Sequence, residues 1–174
     1  RNVFDVTVPD PATSEVVAML EVQYRMHPAI GGLVGGLFYN DRLLHAANAD
    51  EVVAIAARAP FPGQPVVVVD SKGQTTCERA ANGSRSNRGS AERTADLALE
   101  AVRAGHGSIS VITPYAAQAG EIRRMLVARG IADVVECNTI HRFQGRECDV
   151  VLIDLVDAAP MRPTPSAEST IRPS

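Results

Sequence analysis

No stretch of about 18 consecutive apolar residues occurs in this 174-residue chain, so no transmembrane helix is expected. The opening residues, RNVFDVTVPDP, lack a basic segment followed by an apolar run, so no secretory signal is expected either. Cysteine is scarce. Cys77, Cys137 and Cys148 form an odd set, read as reduced thiols of a cytoplasmic protein. Cys137, His141 and Cys148 lie fairly close in sequence, but no CxxC or HxxxH partner accompanies them. No metal site is expected, and the thiols are read as small hydrophobes. Lysine is nearly absent: Lys72 is the sole one, so 16 of the 17 basic residues are Arg. That bias reads as GC-rich coding, and arginine is also the better fork for phosphates. The net charge of −3 and a pI near 5.8 exclude a strongly basic footprint for duplex DNA. A groove lined locally by arginines stays open, because net charge does not report distribution. No internal repeat is present.

What remains is an ordinary globular composition, 45% hydrophobic and 21% charged, which argues against wholesale disorder. At this length a single fold buries roughly 70% of the surface its unfolded chain exposes. The chain begins at Arg1 rather than Met and is expected to be a piece of something longer. Four apolar runs read as buried strands: Val66–Asp70, Ser108–Ile112, Ala132–Cys137 and Asp149–Val156. Helical periodicity covers Ser90–Ala104 and Ala116–Arg129, with Gly105 and Gly130 as stop signals. An earlier helix is expected from Pro28 toward Tyr39, despite Gly31, Gly32, Gly35 and Gly36. The alternation from Val66 onward predicts a three-layer α/β fold with a mostly parallel sheet. The polar stretch Ser71–Gly89 reads as a long loop. The domain is placed at residues 1–157, and the Pro-rich residues 158–174 as a flexible tail.

Three strings rise above this background: LEVQYRMHPAI with a following Phe38-Tyr39, VITPYAAQ at Val111–Gln118, and NTIHRFQGRECDVVLID at Asn138–Asp154. Together with Ser84 and Asn87, in this order and spacing, they resemble the second, C-terminal RecA-like domain of superfamily 1 helicases of the Upf1/Dna2 type. The resemblance runs from about Leu20 to Val156 and implies an α/β RecA-like fold.

The same resemblance implies roles. Arg25 matches the arginine that contacts the ATP γ-phosphate and stabilises charge during transfer. Gln23, Tyr24, Gly145 and Glu147 belong with it to the nucleotide site, Glu147 facing the ribose. Thr113, Pro114, Tyr115, Thr139 and His141 fall where the family touches single-stranded DNA or RNA. Gln144 is placed as a coupling residue between the two sites. The residues themselves leave other readings open. Arg25 also suits a salt bridge from strand to helix, and Glu147 a surface turn. Thr113 and Thr139 suit helix N-caps, Tyr115 and His141 ordinary packing. His27, ahead of Pro28, reads as a helix cap.

The string G-x-x-x-x-G-K-[ST] is missing, so the chain has no phosphate loop of its own. No D-E-x-x string closes an apolar strand to hold Mg²⁺. The resemblance places both in a first RecA-like domain, which would be the partner and would bring Mg²⁺ with ATP. The family's closing R-x-N-V-A-x-T-R-A segment is also missing, and Asp157 stands where the family usually has Arg. The expected function is the second motor domain of an ATP-dependent DNA or RNA helicase, inactive alone. The alternative is a degenerate RecA-like module that binds nucleic acid or protein without hydrolysing ATP.

Overall fold

A computed structural model describes residues 20–46, 49–80, 82–143 and 147–158, with the side chains of Ala49 and His141 left out. The chain divides into two compact units, Arg1–Ala47 and Asn48–Ser174. No described helix is long and apolar enough to cross a membrane.

In the first unit, β1 (Val22–Gln23) pairs in parallel with β2 (Leu44–His45). Helix α1 (Pro28–Phe38) connects them. It starts as expected: the Nδ1 of His27 accepts from the N–H of Ala29 at 3.1 Å, and Pro28 fills the first turn, where no N–H is needed. Its glycines weaken the helix by roughly 1 kcal/mol each relative to Ala. At Gly31 the structure shows why: a Cβ there would collide with the imidazole of His45.

The second unit carries α2 (Ala49–Ala56), β3 (Glu78–Arg79), β4 (Arg85–Ser86), α3 (Arg88–Arg103), β5 (Ile109–Thr113), α4 (Ala116–Ala128), β6 (Val135–Thr139) and β7 (Val150–Ile153). Strands β5, β6 and β7 form a parallel sheet in the order β6-β5-β7, so β5 is central. The α/β expectation holds, and the core is aliphatic. Ala91, Ala95, Ala98 and Ala101 of α3 and Ala119, Ile122 and Leu126 of α4 pack on Ile109, Val111, Val135 and Cys137. Alanines along α3 let the helix approach closely. Both helices end in the same motif, with left-handed Gly105 and Gly130 one residue past the cap. There Gly130 N–H bonds Val127 and Ile131 N–H bonds Leu126.

Two segments differ from expectation. Val66–Asp70 is not a paired strand. A β-branched run favours burial on a pleated surface, but a strand also needs a backbone partner, and Val68 is 89% exposed. The expected loop at 71–89 instead contains the antiparallel hairpin β3–β4, turned at Asn82-Gly83. The Oδ1 of Asn82 accepts from Ser84 N–H at 3.0 Å. The Asn-Gly dipeptide was the available signal. Of the tail at 158–174, residues 159–174 lie outside the described residues.

Candidate functional site

Arg25 follows β1 on a turn built by one side chain. The Oε1 of Gln23 accepts from the backbone N–H of Arg25 (2.9 Å) and of Met26 (2.6 Å), and its Nε2 donates to the Met26 carbonyl at 2.9 Å. An amide that satisfies three backbone groups fixes the direction in which Arg25 leaves the strand. Arg25 is exposed, and Tyr24 is 71% exposed. Gln23 is thus a support for the backbone of Arg25, a role that the string alone did not reveal.

In the second unit the carboxyl ends of β5 and β6 lie side by side, with Thr113 in register with Thr139. Ligands of open α/β sheets bind at this edge. Thr139 is half-buried and makes no side-chain cap for the short 3₁₀ turn Ile140–Arg142 that follows. Thr113 is fully buried. Its hydroxyl has no hydrogen-bond partner among the described residues, and it is not the cap of α4. That cap is Tyr115, while Ser84 Oγ accepts from Ala117 N–H at 3.0 Å. Helix capping therefore explains neither threonine. With Thr113 inside, the surface at this edge belongs to Pro114, Tyr115 and Thr139.

Behind the edge lies a buried polar network. Asn87 caps α3 by accepting from Ser90 N–H at 3.0 Å. Gln118 accepts from Asn87 N–H at 2.7 Å and donates to the Asn87 carbonyl at 3.0 Å and to Asp154 at 2.7 Å. Asp154 is 3% exposed. It also accepts from Ser90 Oγ (2.6 Å), Thr94 Oγ1 (3.4 Å) and Val156 N–H (3.0 Å). Ser84, Asn87 and Gln118, parts of the sequence strings, thus tie both helix N-termini to the end of β7. Sequence spacing shows these residues but not their joining.

Glu147 sits elsewhere. It is exposed and lines an open depression of about 550 Å³ with Ser108, Ser110, Glu136 and Cys148, beside the amino ends of β5 and β6. The structure therefore separates Glu147 from the edge bearing Tyr115 and Thr139. Gln144 and Gly145 lie outside the described residues, as does the side chain of His141. Burial pushes the Cys137 thiol up to about 11, against a smaller opposing pull from Arg123, so it is neutral at physiological pH. Among the described residues, no group of three or more His, Cys, Asp or Glu is placed to hold a metal ion.

Comparison with known proteins shows the family. The AAA domain family matches residues 5–167. The ATP-dependent helicase NAM7 of Saccharomyces cerevisiae is 31% identical over 80% of the chain, which covers 15% of that protein. The Drosophila melanogaster regulator of nonsense transcripts 1 homolog is 30% identical over 79% of the chain and 12% of its own length. The DNA polymerase alpha-associated DNA helicase A of S. cerevisiae is 28% identical over 82% of the chain and 23% of its own length. The chain thus spans less than a quarter of each of these relatives. It belongs to the AAA domain family, among the superfamily 1 helicase domains of the Upf1/Dna2 type.

Proposed function

We propose that this chain is the second motor domain of an ATP-dependent helicase, completing an ATP site and gripping single-stranded nucleic acid. The observation that carries the reading is the register of Thr113 with Thr139 at the carboxyl edge of the sheet, with Pro114 and Tyr115 leading out of the first strand end. Pro114 and Tyr115 border one strand end and Thr139 the next, with backbone and hydroxyl groups suited to phosphate and ring faces suited to bases. His141, two residues after Thr139 in sequence, is assigned to the same strand contact. Thr113 supports it from inside. Arg25, on its pre-set turn, serves the γ-phosphate together with Gln23 and Tyr24. Gly145 and Glu147 serve the rest of the nucleotide, and Gln144 relays between strand and nucleotide.

Mg²⁺ would accompany ATP, but the described residues do not fit a resident ion. The Asp154 carboxylate is engaged by Ser90, Thr94, Gln118 and Val156. The first RecA-like domain would be the partner that holds the phosphates. Asp157 in the place of an arginine favours the second reading, a strand-binding module without hydrolysis.

The strand surface is tested by amide chemical shifts of the ¹⁵N-labelled chain titrated with an oligothymidylate or oligouridylate. Shifts are expected at Tyr115–Gln118 and Thr139–Arg142. Shifts confined to the depression around Ser108 and Glu147, or none, would refute this surface.

A further inference from the structure

Next to Tyr115 lies a charge pair. Arg85 Nη1 is 2.6 Å from Asp157 Oδ1, and the two side chains are only 12% and 13% exposed. The Arg85 guanidinium sits 5.7 Å from the centre of the Tyr115 ring. The Tyr115 hydroxyl donates to the same Asp157 carboxylate, with oxygen distances of 3.2 and 3.4 Å. One acidic side chain thus holds both a cation and a ring at the edge proposed to meet the strand. Its backbone is held under strain. Val156, the preceding residue, has φ 70, a conformation disfavoured for a β-branched side chain. It persists because Val156 is pinned on both sides: its N–H donates to Asp154 at 3.0 Å and its carbonyl accepts from Asn87 Nδ2 at 3.2 Å.

We infer that Asp157 is an internal stand-in for a strand phosphate: it occupies Arg85 in the absence of nucleic acid and yields it to a backbone phosphate when a strand binds. The inference rests on the proposed strand surface and adds Arg85 to it. A carboxylate and a phosphate offer a guanidinium the same planar pair of acceptor oxygens, so they compete for one fork. While Asp157 is in place, its charge repels the phosphate and its contact with the hydroxyl fixes the ring. When it leaves, Val156 relaxes, Arg85 turns to the strand, and the Tyr115 ring is released. Binding is thereby opposed by a contact within the chain, and a bare nucleotide phosphate at the distant Glu147 end does not relieve it.

The test is fluorescence titration of the full chain with a labelled oligothymidylate at several salt concentrations, using Asp157→Asn and Arg85→Gln. Asp157→Asn keeps the acceptor for the tyrosine and removes the charge. It should tighten binding by about three- to tenfold at low salt, because no carboxylate has to be displaced, with the slope of log K against log salt close to the parent's, since the same phosphate contact forms in both. Arg85→Gln should weaken binding and make the slope shallower than the parent's by about 0.7, one lost phosphate contact. Thermal melts of each variant identify unfolding, and the Arg85→Gln slope still decides the matter if Asp157→Asn does not fold. If the parent binds and neither variant changes affinity or slope, the pair is only structural and the inference fails. If neither the parent nor Asp157→Asn binds, the strand surface itself is refuted. Binding by Asp157→Asn where the parent shows none supports the inference most strongly.

Discussion

Arg25→Ala is expected to lower kcat for strand-stimulated ATP hydrolysis by roughly 10³-fold or more in the longer protein of which this chain would be a part. That loss corresponds to about 4 kcal/mol of transition-state stabilisation. The size follows from what a guanidinium does as charge spreads over the transferred phosphoryl group: it stabilises the transition state more than bound ATP. KM should therefore move little. On the proposed role, the turn would let the arginine act at low cost in reorganisation. Gln23 satisfies the N–H groups of Arg25 and Met26 and donates to the Met26 carbonyl, so the backbone is set before ATP arrives. Gln23→Ala should lower kcat in the same direction by less, since it frees the turn but keeps the guanidinium. Rapid-quench measurement of the hydrolytic step separates the two variants from the parent. A variant that folds poorly but hydrolyses normally per folded molecule would assign Arg25 to a structural salt bridge instead.

Gln118→Met is expected to destabilise the second unit by about 4 kcal/mol, through the loss of hydrogen bonds to a buried charge and the orphaning of the buried Asn87 N–H, while the Asn87 carbonyl keeps the Ala91 N–H. Methionine keeps the length of glutamine and removes every polar atom. The Asn87 N–H and carbonyl then lose partners at 2.7 and 3.0 Å, and Asp154 loses a donor at 2.7 Å. Asp154 has no basic side chain among its hydrogen-bond partners in the described residues, so those donors alone compensate its burial. For a chain of this size the melting temperature should fall by roughly 8–16 °C. Urea denaturation followed by circular dichroism measures the change. A loss below about 1 kcal/mol would mean that water reaches Asp154 and replaces the amide.

Both predictions rest on residues visible in the sequence, but for different reasons. The helices α1, α3 and α4 were legible because apolar spacing and end signals are local: Pro28, Gly105 and Gly130 each mark a boundary within the reach of one turn. Strands β5, β6 and β7 were legible as apolar runs, each within three residues of its observed limits. Val66–Asp70 shows the limit of that reasoning. Four valines state a preference for a pleated, buried surface, and nothing local states which backbone would pair with them. The hairpin at Arg79–Arg85 is hidden by its polar surroundings, although Asn82-Gly83 announces a reversal.

The candidate site divides in the same way. The strings single out Arg25, Tyr115 and Thr139 as candidates, and the structure puts Thr139 in register with Thr113, two residues before Tyr115. They could not show that Thr113 turns inward, because strand alternation relative to the helices is a tertiary fact. Nor could they show the links from Asn87 to Gln118, from Gln118 to Asp154, or from Arg85 to Asp157. Those partners are 31, 36 and 72 residues apart. Asp157 stood out only as a departure from the family pattern, and its partner Arg85 gave no sign at all.

The central claim is that this domain completes an ATP site which it cannot form alone. Its most direct test is steady-state ATP hydrolysis, with and without an oligothymidylate or oligouridylate, by the 174-residue chain and by the longer protein that contains it. The account predicts turnover stimulated by the strand in the longer protein and none above background in the chain, which has no phosphate loop. Strand-stimulated hydrolysis by the purified chain, or a longer protein that binds strands without hydrolysing ATP, would contradict it.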